Sequence, residues 1–370
     1  MNPRRSPLLI AALAVVATAL LPSVAEAKKR GPKLTVMTRN VFLGADLSPA
    51  IGAASLAEAI DGAGVIWNEL QRTKFAERAK PLAREIKRSK ADLVGLQEVA
   101  LWRTQTPSDL GAPPQNPNGK PATHVEQDFL AILKRELKKV HAGYKVVVVQ
   151  REFDSELPVD QDGSNTTGGF EGAEFDARLT MRDVILVRRA SKVKLGKTRR
   201  GHYATRFEPN VGGFVLPVDR GWASVEARLK GKRFRFVDTH LEAFGEPQIR
   251  EAQAVELTKG PLKTKRQVIL VGDLNSGIAR HHEPEQPGDE LAFQALAGFG
   301  MRDNGAIQSC CYSDLFDPNG VFDHTVDHVL SKPGLKKLHA SVTGNKKSER
   351  TPSGLWPSDH GGVVSTLRLR

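Results

Sequence analysis

Covalent reinforcement is scarce in this sequence: 370 residues contain two cysteines, Cys310 and Cys311, and they are adjacent. Neighbouring cysteines cannot close an ordinary loop, and no C-x-x-C or Cys/His set with zinc-ligand spacing occurs, so neither a disulfide framework nor a structural zinc site has support. The pair itself fits a vicinal disulfide, two free thiols or an intermolecular bridge equally well. Aromatic residues are only 6% of the chain. They form no exposed hairpin of the kind a lipid-acting enzyme inserts into a membrane, and Trp102 and Trp356 read as single residues in loops. After Leu21 no apolar stretch approaches the roughly 20 residues that span a bilayer. A Pro/Ser/Gly-rich linker and internal repeats are also missing, so nothing divides the chain. Acidic residues are outnumbered 42 to 54 by Lys and Arg, giving a net charge of +12. That excess favours polyanionic partners (nucleic acid, anionic headgroups, phosphorylated small molecules) without choosing among them.

At the N-terminus, Arg4 and Arg5 precede an apolar run from Leu8 to Leu21, and the segment closes on Ala25-Glu26-Ala27. This is the pattern of a cleaved secretory signal. The sequence therefore reads as a signal peptide at 1–27 and one domain at 28–370, exported to the extracellular or periplasmic space, with no membrane insertion after cleavage, and monomeric.

Apolar, β-branched runs bounded by turn residues predict strands at 34–41, 91–99, 144–149, 183–188, 223–229, 233–240, 268–274, 325–330 and 363–369. Helical periodicity appears in Phe75, Ala79, Leu82 and Ile86, and again in Phe129, Leu133, Leu137 and Val140. Thr123-His124-Val125-Glu126 reads as a capping box for the second of these, which makes His124 and Glu126 cap and flank. Further helices are predicted at 247–259 and 290–297, while 101–122 and 151–180 read as long surface loops. Several strands follow one another without a helix between them. The expected fold is a four-layer α/β sandwich, two mixed β-sheets face to face with helices outside.

Five polar signatures sit at the ends of these strands: Thr38-Arg39-Asn40, Leu96-Gln97-Glu98, Asp238-Thr239-His240, Gly272-Asp273-Leu274-Asn275 and Ser358-Asp359-His360. Singly each is weak, since a carboxylate at a strand end is usually solvated or a helix cap. In this order, however, they resemble the endonuclease/exonuclease/phosphatase superfamily, which includes pancreatic-type deoxyribonucleases, apurinic/apyrimidinic endonucleases, bacterial neutral sphingomyelinases and inositol polyphosphate phosphatases. The resemblance runs from Leu34 to Arg370. The stretch Thr38 to Leu47 is similar to the openings of exported bacterial members.

Phosphoester hydrolysis calls for a Lewis acid, a base for water, and donors for charge developing on the phosphoryl oxygens. The resemblance implies Glu98 as metal ligand with Asp359 as a second or alternative one, for magnesium, with manganese able to replace it. It implies Asp273 as general base. Asn275 would offer its amide to a phosphate oxygen, and Asn40 would serve either the phosphate or the base carboxylate. His240 and His360 would donate protons and stabilise the transition state, His240 facing the phosphate and His360 paired with Asp327. Strand alternation sends His328 to the face opposite Asp327, a structural position. Arg178 and Arg182 read as a solvated strand entry, with a phosphate contact the lesser reading; the role of Asp238 stays open. The expected substrate is a phosphate ester, nucleic acid first, with a sphingomyelinase-like or inositol phosphate activity as the alternative and a non-catalytic binding module as the third reading. All these residues should meet in a pocket about 10 Å across, with Asp327 roughly 2.6–3.2 Å from a ring nitrogen of His360.

Overall fold

Where a run is apolar on both faces it forms a strand in the middle of the molecule, because only a central position hides both sides of the pleat. The structure, a computed structural model, describes residues 31–109, 118–163, 172–277 and 287–370. The expected signal segment lies outside them. In chain order come β1 (Lys33–Asn40), α1 (Ser48–Ile51), α2 (Leu56–Thr73), α3 (Phe75–Ser89), β2 (Leu93–Gln97), β3 (Leu101–Gln105), β4 (His124–Asp128) and α4 (Phe129–Lys139). Then follow β5 (Tyr144–Val159), β6 (Phe175–Arg188), β7 (Lys194–His202), β8 (Asn210–Val211), β9 (Phe214–Val215), β10 (Gly221–Leu229) and β11 (Lys232–His240). The remainder holds α5 (Pro247–Lys259), β12 (Gln267–Asp273), α6 (Leu291–Gly298), β13 (Arg302–Asp303), β14 (Asp327–Ser331), β15 (Lys336–Thr343) and β16 (Gly362–Arg368).

One sheet runs β15-β16-β1-β2-β6-β3-β4, with β5 also paired to β6; the other runs β13-β14-β12-β11-β10-β7. Both are mixed. Between them Val36, Leu93 and Ile185 meet Val225, Phe236, Ile269 and Val271, each buried side chain contributing about 1.5–3 kcal/mol. Leu70, Leu82, Ile86 and Leu133 of α2, α3 and α4 cover the outer face of the first sheet. Ala254, Leu257, Ala292 and Leu296 of α5 and α6 cover Val237, Val268 and Leu270 on the second. This is the expected four-layer sandwich.

Parallel pairing is what gathers the polar strand ends. β1 lies parallel to β2, with Asn40 opposite Gln97, and β11 lies parallel to β12, with His240 opposite Asp273. The antiparallel strand β14 enters at that same edge, Asp327 facing Asp273. Five chain segments therefore finish or start at one rim.

The structure also differs from the sequence reading. Residues 124–128 form a strand rather than a capping box, because β4 pairs with β3; the helix starts at Phe129, capped by Asp128, whose side chain accepts from the backbone N–H groups of Leu130 and Ala131. Within 101–122 and 151–180, the segments 101–105, 151–159 and 175–180 are strand, the last two forming a long hairpin of β5 with β6. Phe153, Val159, Phe175 and Leu179 of that hairpin pack beside Trp67 and Trp102, while Asp154 and Arg178 between them face outward; this polar half disguised a strand as a loop. Trp102 lies in β3 rather than a loop, whereas Trp356 is in the loop before β16 as expected; both are buried.

At Gly95 the two sheets approach so closely that a Cβ would lie 2.3 Å from Oδ1 of Asp238 and 2.6 Å from Cγ2 of Val271. Gly95→Ala is therefore expected to destabilise the fold by about 1–3 kcal/mol through overpacking, read as a lower denaturation midpoint in urea. An unchanged midpoint would mean that the sheets separate freely at this point.

Candidate active site

The rim begins with Asn40, buried at the end of β1. Its amide nitrogen donates to Oε1 of Glu98 at 2.9 Å and to Oδ2 of Asp273 at 3.0 Å, while its oxygen accepts from the N–H of Phe42 at 2.9 Å. Both amide hydrogens thus go to carboxylates. Of the two roles expected for Asn40, the geometry realises the carboxylate contact. Glu98 has a positive φ of 59°, which turns its side chain out of the strand line, and Oε2 accepts from the N–H of Leu43 at 2.7 Å. Asp359 shares this cleft. Burial and the charge of Asp359 push the Glu98 carboxyl up to about 7. Two mutually repelling carboxylates opening on one cleft fit a hard divalent cation, which relieves that repulsion.

Asp273 is buried at the end of β12; Oδ1 accepts from the N–H of Asn275 at 2.9 Å. Burial raises its carboxyl pKa, with the charge of His360 opposing and that of Asp327 adding. Asn275, at φ 45°, donates to the Leu241 carbonyl at 3.0 Å and stands 3.2 Å from Nε2 of His240.

The two histidines have opposite environments. The guanidinium of Arg220 lies 3.0 Å from Nδ1 of His240. An arginine can only donate, so Nδ1 accepts and the proton of the neutral ring sits on Nε2, facing the cleft. Burial, Arg220 and His360 hold the His240 pKa well below the ordinary value. His360 behaves the other way. Burial alone would lower it, yet Asp327, Asp273 and Asp359 together hold it well above the ordinary value. Its Nδ1 is 2.9 Å from Oδ2 of Asp327, within the expected range, and Ser309 Oγ donates to the same carboxylate oxygen at 2.7 Å. Nε2 of His360 and Nε2 of His240 each lie 3.6 Å from Oδ2 of Asp273.

Glu98, His240, Asp273, Asn275, Asp359 and His360 therefore line one cleft of about 540 Å³, with Asn40 and Asp327 hydrogen-bonded behind them at the same rim. His328 turns the other way, with Nδ1 2.8 Å from Asp303 and Nε2 2.9 Å from the Ser276 carbonyl. Arg182 holds the Val99 carbonyl and Asp128, Arg178 holds Asp154, and neither lines the cleft. Asp238 lies between the sheets, accepting from Gln97 Nε2 at 2.6 Å.

Three arginines that position the site were not singled out from the sequence. Arg220 orients His240 and pairs with Glu242 at 3.2 Å. Arg39 ties the Asn40 and His360 carbonyls together and pairs with Glu85 at 3.2 Å. Arg78, on α3, donates to the carbonyls of Val41, Phe42 and Pro357; burial lowers its pKa to about 9, with Asp359 opposing. Arg39 lay inside a quoted motif. The pairing of β10 with β11, Gly221 opposite His240, is the signal that places Arg220, and it exists only in three dimensions.

A four-layer sandwich with a carboxylate, amide and imidazole chain at one rim defines a hydrolase acting on phosphoric ester bonds. Residues 66–360 match the Endonuclease/Exonuclease/phosphatase family, and the chain belongs to it. No curated protein sequence matches the chain. Among solved structures, an endonuclease/exonuclease/phosphatase family protein from Bacteroides thetaiotaomicron is 17% identical with a TM-score of 0.54, covering 92% of this chain and 99% of its own. The mannosyl-6-phosphatase Bt3783 of Bacteroides thetaiotaomicron VPI-5482 is 17% identical, TM-score 0.53, covering 90% and 99%. A third, an endonuclease/exonuclease/phosphatase from Bacteroides vulgatus, is 15% identical, TM-score 0.50, covering 92% and 100%. At these identities the likeness is one of fold.

Because the folded-state pKa of His360 is raised, its stabilising contribution is complete below the unfolded value of about 6.5 and is lost as pH rises through the folded one. Asp327→Asn removes the largest favourable cause. The His360 ring resonances, followed by NMR, should then titrate at lower pH than in the wild type; an unchanged titration would mean that Asp327 does not hold the proton.

Proposed function

We propose that the chain is an exported phosphoesterase in which Glu98 and Asp359 hold a divalent cation, magnesium or manganese, and Asp273 activates the attacking water. The observation that carries this reading is the Asn40 amide, which joins Glu98 to Asp273 and so sets the metal ligand and the base in one frame. Oxygen ligands of this kind suit magnesium, which keeps several waters and needs only one or two carboxylates. When bound, the cation supplies Lewis-acid stabilisation of charge on the phosphoryl oxygens. Asp273, buried and raised in pKa, accepts a proton from water. The neutral His240 presents its Nε2 hydrogen to a phosphoryl oxygen, and the Asn275 amide, held by the Leu241 carbonyl, stands beside that ring. His360, kept protonated by Asp327, supplies positive charge and a proton beside the same oxygens.

The walls of the cleft narrow the substrate. Phe42, Phe153, Met181, Phe244 and Phe316 line it, four of them aromatic residues from separate segments that the sequence left scattered. Its charged rim is mainly acidic, Asp46, Glu69, Asp314 and Asp359 against Arg72 and Arg220. Nucleic acid would need cations along its backbone path. The basic excess lies elsewhere: Lys194, Lys197, Arg199, Arg228 and Arg233 line a separate groove, and the β10–β11 register puts Arg228 and Arg233 at the strand ends remote from Gly221 and His240. The substrate supported best is a small phosphoester whose remaining part is uncharged and partly apolar. A nuclease is the second reading, favoured by the net charge of +12. Export rests on the N-terminal signal pattern, and among the described residues no helix is long and apolar enough to cross a membrane.

Purified protein should hydrolyse a phosphoester with an aromatic or acyl leaving group faster than plasmid DNA or RNA when magnesium is present, and lose that activity in chelator. Full activity in excess chelator would overturn the metal-assisted reading, and faster DNA cleavage would reverse the order of substrates. On the better substrate, Asp273→Asn should lower the rate by about 10² to 10⁴ with substrate affinity little changed. Glu98→Gln should raise the magnesium concentration needed for half-maximal rate. If added magnesium rescues Asp273→Asn as it rescues Glu98→Gln, Asp273 is a ligand and not the base.

A further inference from the structure

Beside the His360 ring lies the vicinal disulfide Cys310–Cys311. Cys310 is buried and Cys311 exposed, so solvent reaches the bond from one side only. Nδ1 of His360 is committed to Asp327. The other ring nitrogen, Nε2, lies 3.6 Å from Sγ of Cys310 and 3.8 Å from Sγ of Cys311. These ligand atoms all fall within 4.8 Å of one another.

Those separations have a chemical meaning. A tetrahedral zinc-type ion binds thiolate sulfur at about 2.3 Å and imidazole nitrogen at about 2.0–2.1 Å, which places sulfur and nitrogen roughly 3.6 Å apart. Each of the two sulfur–nitrogen distances is therefore close to one edge of such a tetrahedron, while the sulfur–sulfur edge is closed by the disulfide bond and opens to a ligand spacing only on reduction. The support behind the ring fits as well. A metal-binding histidine ordinarily gives its second N–H to a carboxylate that is itself hydrogen-bonded, and here Asp327 receives His360 while accepting from Ser309 at 2.7 Å. Nothing in the phosphoesterase chemistry uses the two sulfurs.

We propose that reduction of the Cys310–Cys311 bond by a dithiol creates a site for one thiophilic divalent cation, held by the two thiolates and Nε2 of His360. The dithiol delivers two electrons and two protons, the S–S bond opens to two thiols, and the reductant leaves as its own disulfide. Cation binding then releases both thiol protons and the proton on Nε2. Soft thiolate ligands select this class of ion over the hard cation that suits Glu98 and Asp359. An ion so placed occupies the nitrogen that faces Asp273, so the imidazole can no longer serve the phosphoester. This last consequence rests on the phosphoesterase reading, whereas the site itself does not.

Cadmium is the probe, because its bonds to thiolate give an ultraviolet charge-transfer absorbance. Dithiothreitol-reduced protein, freed of reductant without air, is expected to bind one cadmium ion per chain with that absorbance. Oxidised protein and a Cys310→Ser/Cys311→Ser variant should show none, the variant's fold being checked by its thermal melt. Asp327→Asn, which loosens the imidazole, should weaken cadmium binding roughly 10- to 100-fold. No absorbance from reduced wild type, or binding indifferent to both Asp327→Asn and His360→Gln, would overturn the site. In the magnesium-dependent assay, stoichiometric cadmium should stop the reduced wild type and spare the oxidised protein and the double variant. If cadmium binds as described while no form hydrolyses any phosphoester, the site stands and the phosphoesterase reading falls.

Discussion

One side-chain amide holds the rim together. Asn40 has two hydrogens, and each goes to a different carboxylate, Glu98 just past the end of β2 and Asp273 at the end of β12, strands that belong to different sheets. Such a link is possible only because the two parallel pairs end at the same edge. It is also costly to break, since the buried Asp273 carboxylate and the partly buried Glu98 would each lose a donor. The arginines behind it serve the same frame: Arg39 and Arg78 hold carbonyls at the end of β1 and in the segment before Gly362, so that Asn40, Asp359 and His360 cannot drift independently. The histidines on either side are held apart electrically, His240 kept neutral by burial beside Arg220, His360 kept charged by its carboxylates.

Charge on the surface and charge in the cleft point different ways. The protein as a whole is strongly basic, yet the rim of the cleft is acidic and its walls are largely apolar. Net charge governs long-range attraction, whereas the groups within contact distance decide what is held for reaction. For that reason the cleft, and not the composition, carries the choice of substrate.

Much of this was legible in the sequence. The nine apolar runs became strands because continuous or alternating apolar patterns survive any packing arrangement, and the polar signatures at their ends marked the rim. Strand alternation alone separated Asp327 from His328. Less could be read where packing overrides local pattern. Residues 151–159 and 175–180 interleave Arg151, Glu152, Asp154, Glu156, Asp176 and Arg178 with their apolar residues, and the apolar half shows only once Trp67 and Trp102 are in place. The segment 123–126 has the letters of a capping box, but pairing with β3 outweighs a cap worth about 1 kcal/mol. Helix α2 and strand β15 were missed as well, and the positioning role of Arg220 depends on strand register, which no single segment encodes.

The central claim is that Asn40 couples the metal ligand to the base, and a double-mutant cycle tests it directly. Asn40→Ala, Asp273→Asn and the double variant would be compared in turnover across a magnesium titration. Coupling is expected in two forms: Asn40→Ala alone raises the magnesium requirement and lowers the rate, and its effect on rate largely vanishes once Asp273 is replaced, an interaction on the order of 0.5–3 kcal/mol. Strictly additive effects, with an unchanged magnesium requirement in Asn40→Ala, would contradict it.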